Sequence, residues 1–214
     1  SGGGGYFSNL AEGLRHVRSN QVIVVTLIIT IVMNMFGFPY QHMVPVIGAE
    51  TLNVGPLLIG VLLAVEGVGA TTGSLVIALG ARPGGYTKIY SIGSVLFLTA
   101  ILLFSLSPSF WMAIPILLIG GFAMSGFTTM QSVIVITSTP SEIRGRVLGV
   151  LAASVGTGPF GALLVGALAT WWGANHAVTA IAVVGLTLTV ISLLIWPSYL
   201  KSSVRQSGSG PAVN

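Results

Sequence analysis

Glu66 is the residue whose position most directly suggests chemistry. The 214-residue chain has only four carboxylate side chains, and Glu66 lies about eleven residues, or ~17 Å, into an apolar stretch. A charge at that depth in a membrane costs ~2.5–3.5 kcal/mol, and no lysine or arginine lies within an apolar stretch to offset this cost. We therefore expect Glu66 to be protonated or to face a wet cavity. Such a carboxyl suits proton coupling or recognition of a cationic substrate; the alternative is a hydrogen-bonded structural group.

Other polar side chains lie within the apolar stretches and are candidates for the same pathway. They are Asn34, Gln41 and His42 in the first stretch and Ser125, Thr128 and Gln131, flanked by Thr129 and Ser132, in the fourth. The amides and hydroxyls could line a substrate path, or they could only form hydrogen bonds between helices. His42 could titrate near neutral pH, although a histidine near a membrane interface is more often passive.

The elements that must position these residues are membrane-spanning helices. Charged residues make up only 6% of the chain, against roughly 25% in soluble domains, and mean hydropathy is +0.96. Six apolar stretches occur, at residues 22–48, 55–79, 89–106, 111–137, 147–170 and 177–197. They are too long for strands and do not alternate, so helices satisfy the backbone in lipid. The sequence predicts an all-α integral membrane protein in the lipid bilayer.

The basic residues predict the orientation of the six spans. They precede span 1, lie between spans 2 and 3 and between spans 4 and 5, or follow span 6, and are Arg15, Arg18, Arg82, Lys88, Arg144, Arg146, Lys201 and Arg205. All therefore lie on one side of the membrane, which predicts that both termini are cytoplasmic. This placement explains the net charge of +4 without a nucleic-acid partner. The predicted regions are a linker and amphipathic helix at 1–20, a transmembrane domain at 21–200 and a tail at 201–214.

The two halves of the chain resemble each other weakly. Residues 67–75 (GVGATTGSL) in span 2 and residues 154–163 (SVGTGPFGAL) in span 5 are both glycine-rich middle members of a three-span group. Spans 1–3 and 4–6 are then predicted to be inverted repeats, with span 1 broken at Pro39 and Pro45 and span 4 broken at Pro115. The alternative is that glycine and proline are simply common in membrane helices.

Glycines four residues apart predict places where two helices approach closely. Gly69 and Gly73 have this spacing in span 2, and Gly145 and Gly149 have it at the start of span 5. We expect both pairs to support packing, with no chemical role.

Catalysis is the weaker interpretation of these residues. Ser125 sits before a glycine, as in rhomboid-type intramembrane proteases, but it lies ~21 Å below the outer end of span 4. His42 and His176 lie near the outer surface, so neither reaches it as a base. The chain has no cysteine and no nucleotide-binding or zinc-protease motif, so no enzyme activity, cofactor or metal site is predicted. A six-helix channel or structural membrane protein remains the alternative to a carrier.

Four segments in order resemble the major facilitator superfamily, across about residues 7–200. They are residues 10–21 (LAEGLRHVRSNQ), 36–40 (FGFPY), 107–111 (SPSFW) and 140–147 (PSEIRGRV). They are similar to the helix before the seventh span, the bend in that span, the turn before the tenth span and the following cytoplasmic loop. The resemblance is strongest to the branch that exports drugs and siderophores.

The resemblance implies that this chain is the carboxy-terminal half of a twelve-span carrier, with two six-span halves around a central cavity. It implies small-molecule efflux by alternating access, with protons as a candidate coupling ion, in the bacterial cytoplasmic membrane. An amino-terminal half or a second copy would be the partner, and the chain would be a fragment. Glu142, Arg144 and Arg146 would form a cytoplasmic gating loop. Arg82 stands in the family's other loop motif, which lacks its acidic residue here, so we expect no charge latch there.

Overall fold

The structure is a computed structural model that describes residues 20–82 and 84–201. Throughout these residues the regular secondary structure is helical. The predicted amphipathic helix before residue 20 and the predicted tail from residue 202 onward lie outside the described residues, as do Arg15, Arg18 and Arg205. The predicted all-α fold is confirmed.

Six helical segments within the described residues are long and apolar enough to cross a membrane. They are span 1, Gln21–Glu50; span 2, Pro56–Gly80; span 3, Tyr86–Ser105; span 4, Phe110–Thr137; span 5, Arg144–Trp172; and span 6, Ala174–Ile195. A short helix, Ser198–Lys201, follows span 6. Each predicted apolar stretch therefore corresponds to one span, with ends shifted by a few residues.

Span 1 changes its helical geometry in the middle. It begins as an α-helix at Gln21–Val32, continues as a π-helical segment at Met33–Gly37 and a 3₁₀ segment at Phe38–His42, and ends as an α-helix at Val44–Glu50. Because proline lacks an N–H donor, Pro39 removes a bond from the regular ladder. The predicted break in span 1 is present, and it presents the side chains of ten residues in non-α geometry.

The predicted break in span 4 is wrong. Pro115 lies inside the continuous helix Phe110–Thr137, because a membrane helix can lose one backbone hydrogen bond and continue. The interruption occurs instead in span 5, between Arg144–Val155 and Gly158–Trp172. There the Thr157 N–H and hydroxyl both donate to the Ser154 carbonyl, at 3.4 and 2.8 Å, which ends the first helix.

The packing of the six spans follows an inverted repeat. Span 2 packs against span 4 and span 5 packs against span 1; span 3 packs against span 4 and span 6 against span 1; and spans 3 and 6 pack against each other. Exchanging spans 1, 2 and 3 with spans 4, 5 and 6 leaves these pairs unchanged, whereas spans 5 and 6 also pack against each other and spans 2 and 3 do not do so to the same extent. Apart from that difference, the packing agrees with the predicted arrangement of two inverted three-helix repeats.

Glycines allow helices to approach closely. Of the two glycine pairs predicted to do this, only one does. A Cβ on Gly69 or Gly73 would collide with the backbone of span 4 near Leu118 and Phe122. Gly161 of span 5 lies equally close to span 1 at Met35. Gly145 and Gly149 have nothing within 4 Å of an added Cβ. The spacing was therefore a correct guide in span 2 and a wrong one in span 5, where that helix face does not meet a neighbour closely.

Candidate functional site

Glu66 lies in the interior of the bundle and is held by span 1. Its side chain is buried, with 4% of the residue exposed. The Tyr40 hydroxyl donates a hydrogen bond of 2.5 Å to its Oε1, and the Gln41 Nε2 donates to the same oxygen at 3.3 Å. Both donors belong to the 3₁₀ segment of span 1. The structure thus brings together Glu66 and Gln41, which were predicted, and Tyr40, which was not.

Neighbouring helices fix the positions of Tyr40 and Glu66. The Tyr40 ring packs edge-on against Phe97 and Phe104 of span 3, with centroids 5.8 and 6.1 Å apart. On the other side, Gly121 of span 4 approaches the Glu66 backbone so closely that a Cβ would collide with its carbonyl. Spans 1, 2, 3 and 4 therefore all contribute to this site.

The two donors are directed at the same oxygen of the Glu66 carboxyl. Tyr40 and Gln41 both donate to Oε1, which leaves Oε2 as the oxygen on which a proton can reside. Tyr40 belongs to a non-α segment of span 1, and such segments are frequent where helices have functional roles. A change in that segment would change the number of donors to Glu66.

Asn34 lies at a second place, where span 1 meets the break in span 5. It belongs to the π-helical segment and is 8% exposed. Its Nδ2 donates to the Thr30 carbonyl at 2.8 Å. Its Oδ1 lies 3.9 Å from the point where a Cβ on Gly158 would stand, so the amide faces the start of the second helix of span 5.

The polar patch of span 4 divides into different environments. Ser125 is buried against Gly73 of span 2, and its hydroxyl donates to the Phe122 carbonyl of its own helix. Thr128 is exposed and bonds carbonyls of its own helix. Gln131 is half-buried, and its Oε1 is buried without a hydrogen-bond partner among the described residues. In span 1, His42 is exposed and lies beyond Gln41.

The loop between spans 4 and 5 carries the predicted gating residues. Glu142 is exposed, and the pKa of its carboxyl is lowered by its own backbone N–H, by the Ser141 hydroxyl and by nearby Arg144. Arg144 also donates to the Thr139 carbonyl at 3.4 Å, and Arg146 lies half-buried in the first turn of span 5. Arg82 lies in the separate loop after span 2 and is exposed.

A buried hydroxyl network near the start of span 1 was missed in the sequence. Tyr90 of span 3 lies 2.9 Å from the Thr30 hydroxyl and donates to the Thr26 carbonyl, and Tyr199 lies 2.9 Å from the Thr26 hydroxyl. Burial raises the pKa of Tyr199, which keeps its hydroxyl protonated. A tyrosine inside or next to an apolar stretch needs a hydrogen-bond partner, and that signal could have paired these residues with the threonines.

Comparison with known families agrees with this geometry. The family described as "Transmembrane secretion effector", which is of the major facilitator type, matches residues 4–206. The chain belongs to this family. No match was found among curated proteins or among solved structures. As a member of the transmembrane secretion effector family, the chain is an integral multi-pass membrane protein, and its general activity is membrane transport of small molecules.

Proposed function

We propose that this chain is the carboxy-terminal six-span half of an exporter that moves small molecules against protons by alternating access. The two halves would rock about a central cavity and expose it to each face in turn. Glu66 would carry the coupling proton on Oε2. Asn34, Gln41, His42, Ser125, Thr128 and Gln131 would form the substrate and proton pathway.

The observation that carries this proposal is that Glu66 of span 2 is buried and accepts hydrogen bonds from the irregular middle of span 1. A carboxyl inside the membrane has to be hydrogen-bonded or neutralised, and here its donors come from a non-α segment. When span 1 regularises or bends further, Tyr40 and Gln41 move relative to Glu66. Proton release is thereby linked to the conformation of the helix that would line the cavity.

The exposed surfaces of the bundle support a partner for this chain. In the most apolar stretch of each span, only 22% of span 2 and 28% of span 5 are buried inside the bundle, against 61% of span 1. Lipid would cover part of this surface, and an amino-terminal six-span half, or a second copy, would cover the rest. The loop at Glu142, Arg144 and Arg146 would tie helix ends together in one conformation and so favour one state. The membrane would be the bacterial cytoplasmic membrane.

The test compares Glu66→Gln with Glu50→Gln, a matched change at an exposed carboxylate at the end of span 1. Proteoliposomes would contain the chain with an amino-terminal half, and export of the dye ethidium and of a tris-catecholate would be followed under an imposed pH gradient. We expect Glu66→Gln to abolish the dependence on the gradient and Glu50→Gln to preserve it.

Two results would contradict parts of the proposal. Unchanged pH dependence in Glu66→Gln would remove the coupling role of this carboxyl. Equal export by the chain alone would remove the half-carrier role, since one half would then form a complete pathway.

A further inference from the structure

An apolar groove opens on the side of the bundle between spans 2 and 3. Both spans pack along span 4 and make little contact with each other, so span 4 forms the floor of the groove. The groove has a volume of about 360 Å³ and is lined by apolar residues and glycine. Its walls and floor include Val76, Ile77, Ile92, Leu96, Phe122 and Gly126.

Glycines in the lining keep the groove open. A Cβ on Gly93 of span 3 would lie 2.7 Å from the Ala123 carbonyl oxygen of span 4 and 3.0 Å from the Gly126 Cα. The two backbones therefore meet at the floor, and neither glycine raises a side chain into the groove. Gly80, the last residue of span 2, also lines the groove and has nothing within 4 Å of an added Cβ.

The groove faces outward and has dimensions that suit an acyl chain. Val76, Ile92 and Leu96 are 52%, 58% and 47% exposed, so their apolar surface is open to the surroundings of the bundle. From Ile89 to Leu96 the groove follows span 3 for ~10 Å of helical rise. One leaflet of the hydrocarbon core is ~15 Å thick, so the groove extends through most of a leaflet.

Two cations stand at the end of the groove. Arg82 follows Gly80 by two residues, Lys88 directly precedes Ile89, and both side chains are exposed. The sequence has no carboxylate side chain from residue 67 to residue 141, so no acidic residue of this loop or of spans 3 and 4 offsets these charges. Basic pockets between membrane helices bind anionic lipid headgroups.

We propose that this groove binds one anionic phospholipid from the leaflet at the basic end of the bundle. An acyl chain lies along Ile92 and Leu96, and the phosphate lies at Arg82 and Lys88. A second copy of the chain fits less well, because a symmetric contact through this groove would bring the two cations of each copy together. The inference does not depend on the proposed transport function.

The test measures lipid preference at the groove itself. Because the sequence has no cysteine, a bimane fluorophore can be attached at Ile92→Cys. Ile191→Cys is the matched control, since this isoleucine is 45% exposed and lies four residues from the end of span 6, at the same end of the bundle. The chain is reconstituted in phosphatidylcholine with increasing fractions of brominated phosphatidylglycerol or brominated phosphatidylcholine of the same acyl chains. Quenching of bimane by each brominated lipid gives their relative affinities.

We expect phosphatidylglycerol to be preferred about tenfold at Ile92→Cys, because two cations contribute there. The two lipids should quench about equally at Ile191→Cys, where the lipid contacts the helix without a dedicated site. This comparison leaves every charge of the chain in place and so does not depend on how a charge variant folds.

Charge variants then assign the headgroup to its residues. Arg82→Gln combined with Lys88→Gln should remove the preference at Ile92→Cys and leave quenching by phosphatidylcholine unchanged. Arg144→Gln combined with Arg146→Gln removes the same charge from the other basic loop at this end of the bundle and should preserve the preference.

A second pair of variants assigns the acyl chain. Gly80→Phe places a ring in the groove and keeps both cations, and it should lower the preference for phosphatidylglycerol at Ile92→Cys. Gly67→Phe is the control, because Gly67 also has open space at the Cβ but does not line the groove.

Three results would overturn the site. An equal preference at Ile92→Cys and Ile191→Cys would mean that anionic lipid is enriched around the whole basic end and not in the groove. Weak quenching by both lipids at Ile92→Cys alone would mean that protein, such as a second copy, covers the groove. A preference that survives the loss of Arg82 and Lys88 would remove their role in binding the phosphate.

Discussion

At the scale of residues, the bond between Tyr40 and Glu66 joins two groups that each need the other. Glu66 has an ionisable side chain in the middle of a membrane span. Tyr40 carries a polar hydroxyl, and only 1% of this residue is exposed. If either were replaced by an apolar residue, the other would remain buried with a weaker partner or none. The cost of an unpaired buried group is larger than the net gain of a formed hydrogen bond, so the pair should show strong coupling.

We expect Tyr40→Phe and Glu66→Leu each to lower the free energy of unfolding by about 1–3 kcal/mol. The double variant should lose clearly less than the sum, because neither member of the Tyr40–Glu66 pair is then left buried without the other. The measurement is unfolding by SDS titration in mixed micelles, for the four members of the cycle. Thr72→Val, at an exposed hydroxyl that bonds its own helix, is the control. Additive losses would contradict the coupling.

The sequence predicted Glu66 and failed to predict Tyr40 for physical reasons. The depth of a carboxyl in an apolar stretch follows directly from counting residues along one helix. The partner is 26 positions away in the chain, and its approach depends on the 3₁₀ geometry of span 1, which no local pattern reports. Asn34 and Gln131 were likewise identified as polar residues in spans, while the partners that each side chain has or lacks depend on how the helices pack.

At the scale of elements, hydropathy predicted six spans, and proline was an unreliable guide to where they break. Pro39 lies in the irregular part of span 1, but Pro115 lies in a continuous helix. In span 5 the interruption occurs at Gly156 and Thr157, where Thr157 turns its N–H and hydroxyl back to Ser154. Glycine-rich sequence followed by proline was the signal for this break, and it was present at residues 154–159.

The close contact between spans 2 and 4 at Gly69 should contribute to stability, and this can be tested. In Gly69→Ala the new Cβ would collide with the Leu118 backbone, and the helices must separate, which we expect to cost about 1–3 kcal/mol of unfolding free energy. Gly67→Ala, two residues earlier, has open space at the Cβ and should be neutral or stabilising by up to about 1 kcal/mol. Unfolding by SDS titration compares the two. Equal effects would mean that the close approach does not contribute to stability.

At the scale of the whole molecule, the span count and the basic residues together define two faces. Because short loops join the six consecutive spans, the spans must alternate in direction, and Arg82, Lys88, Arg144 and Arg146 then all lie at the same end of the bundle. The C-terminal ends of spans 1 and 3 lie at the opposite end of the bundle. The loops at that end contain no lysine or arginine. Counting charges could predict this asymmetry, because it needs only the number of crossings and no knowledge of packing.

The absence of cysteine from the sequence allows a direct test of which face is cytoplasmic. Single cysteines would be placed at exposed positions, with Glu50→Cys and Leu106→Cys on the face without basic residues and Ser141→Cys and Gly145→Cys on the basic face. Because positive charge is retained in the cytoplasm, we expect a membrane-impermeant maleimide to label the first pair in intact cells. The second pair should react only in inverted vesicles. Labelling of the second pair from outside would show that the orientation is the reverse of the predicted one. If the two cysteines of either pair differed in their labelling, the alternating direction of the six spans would be contradicted.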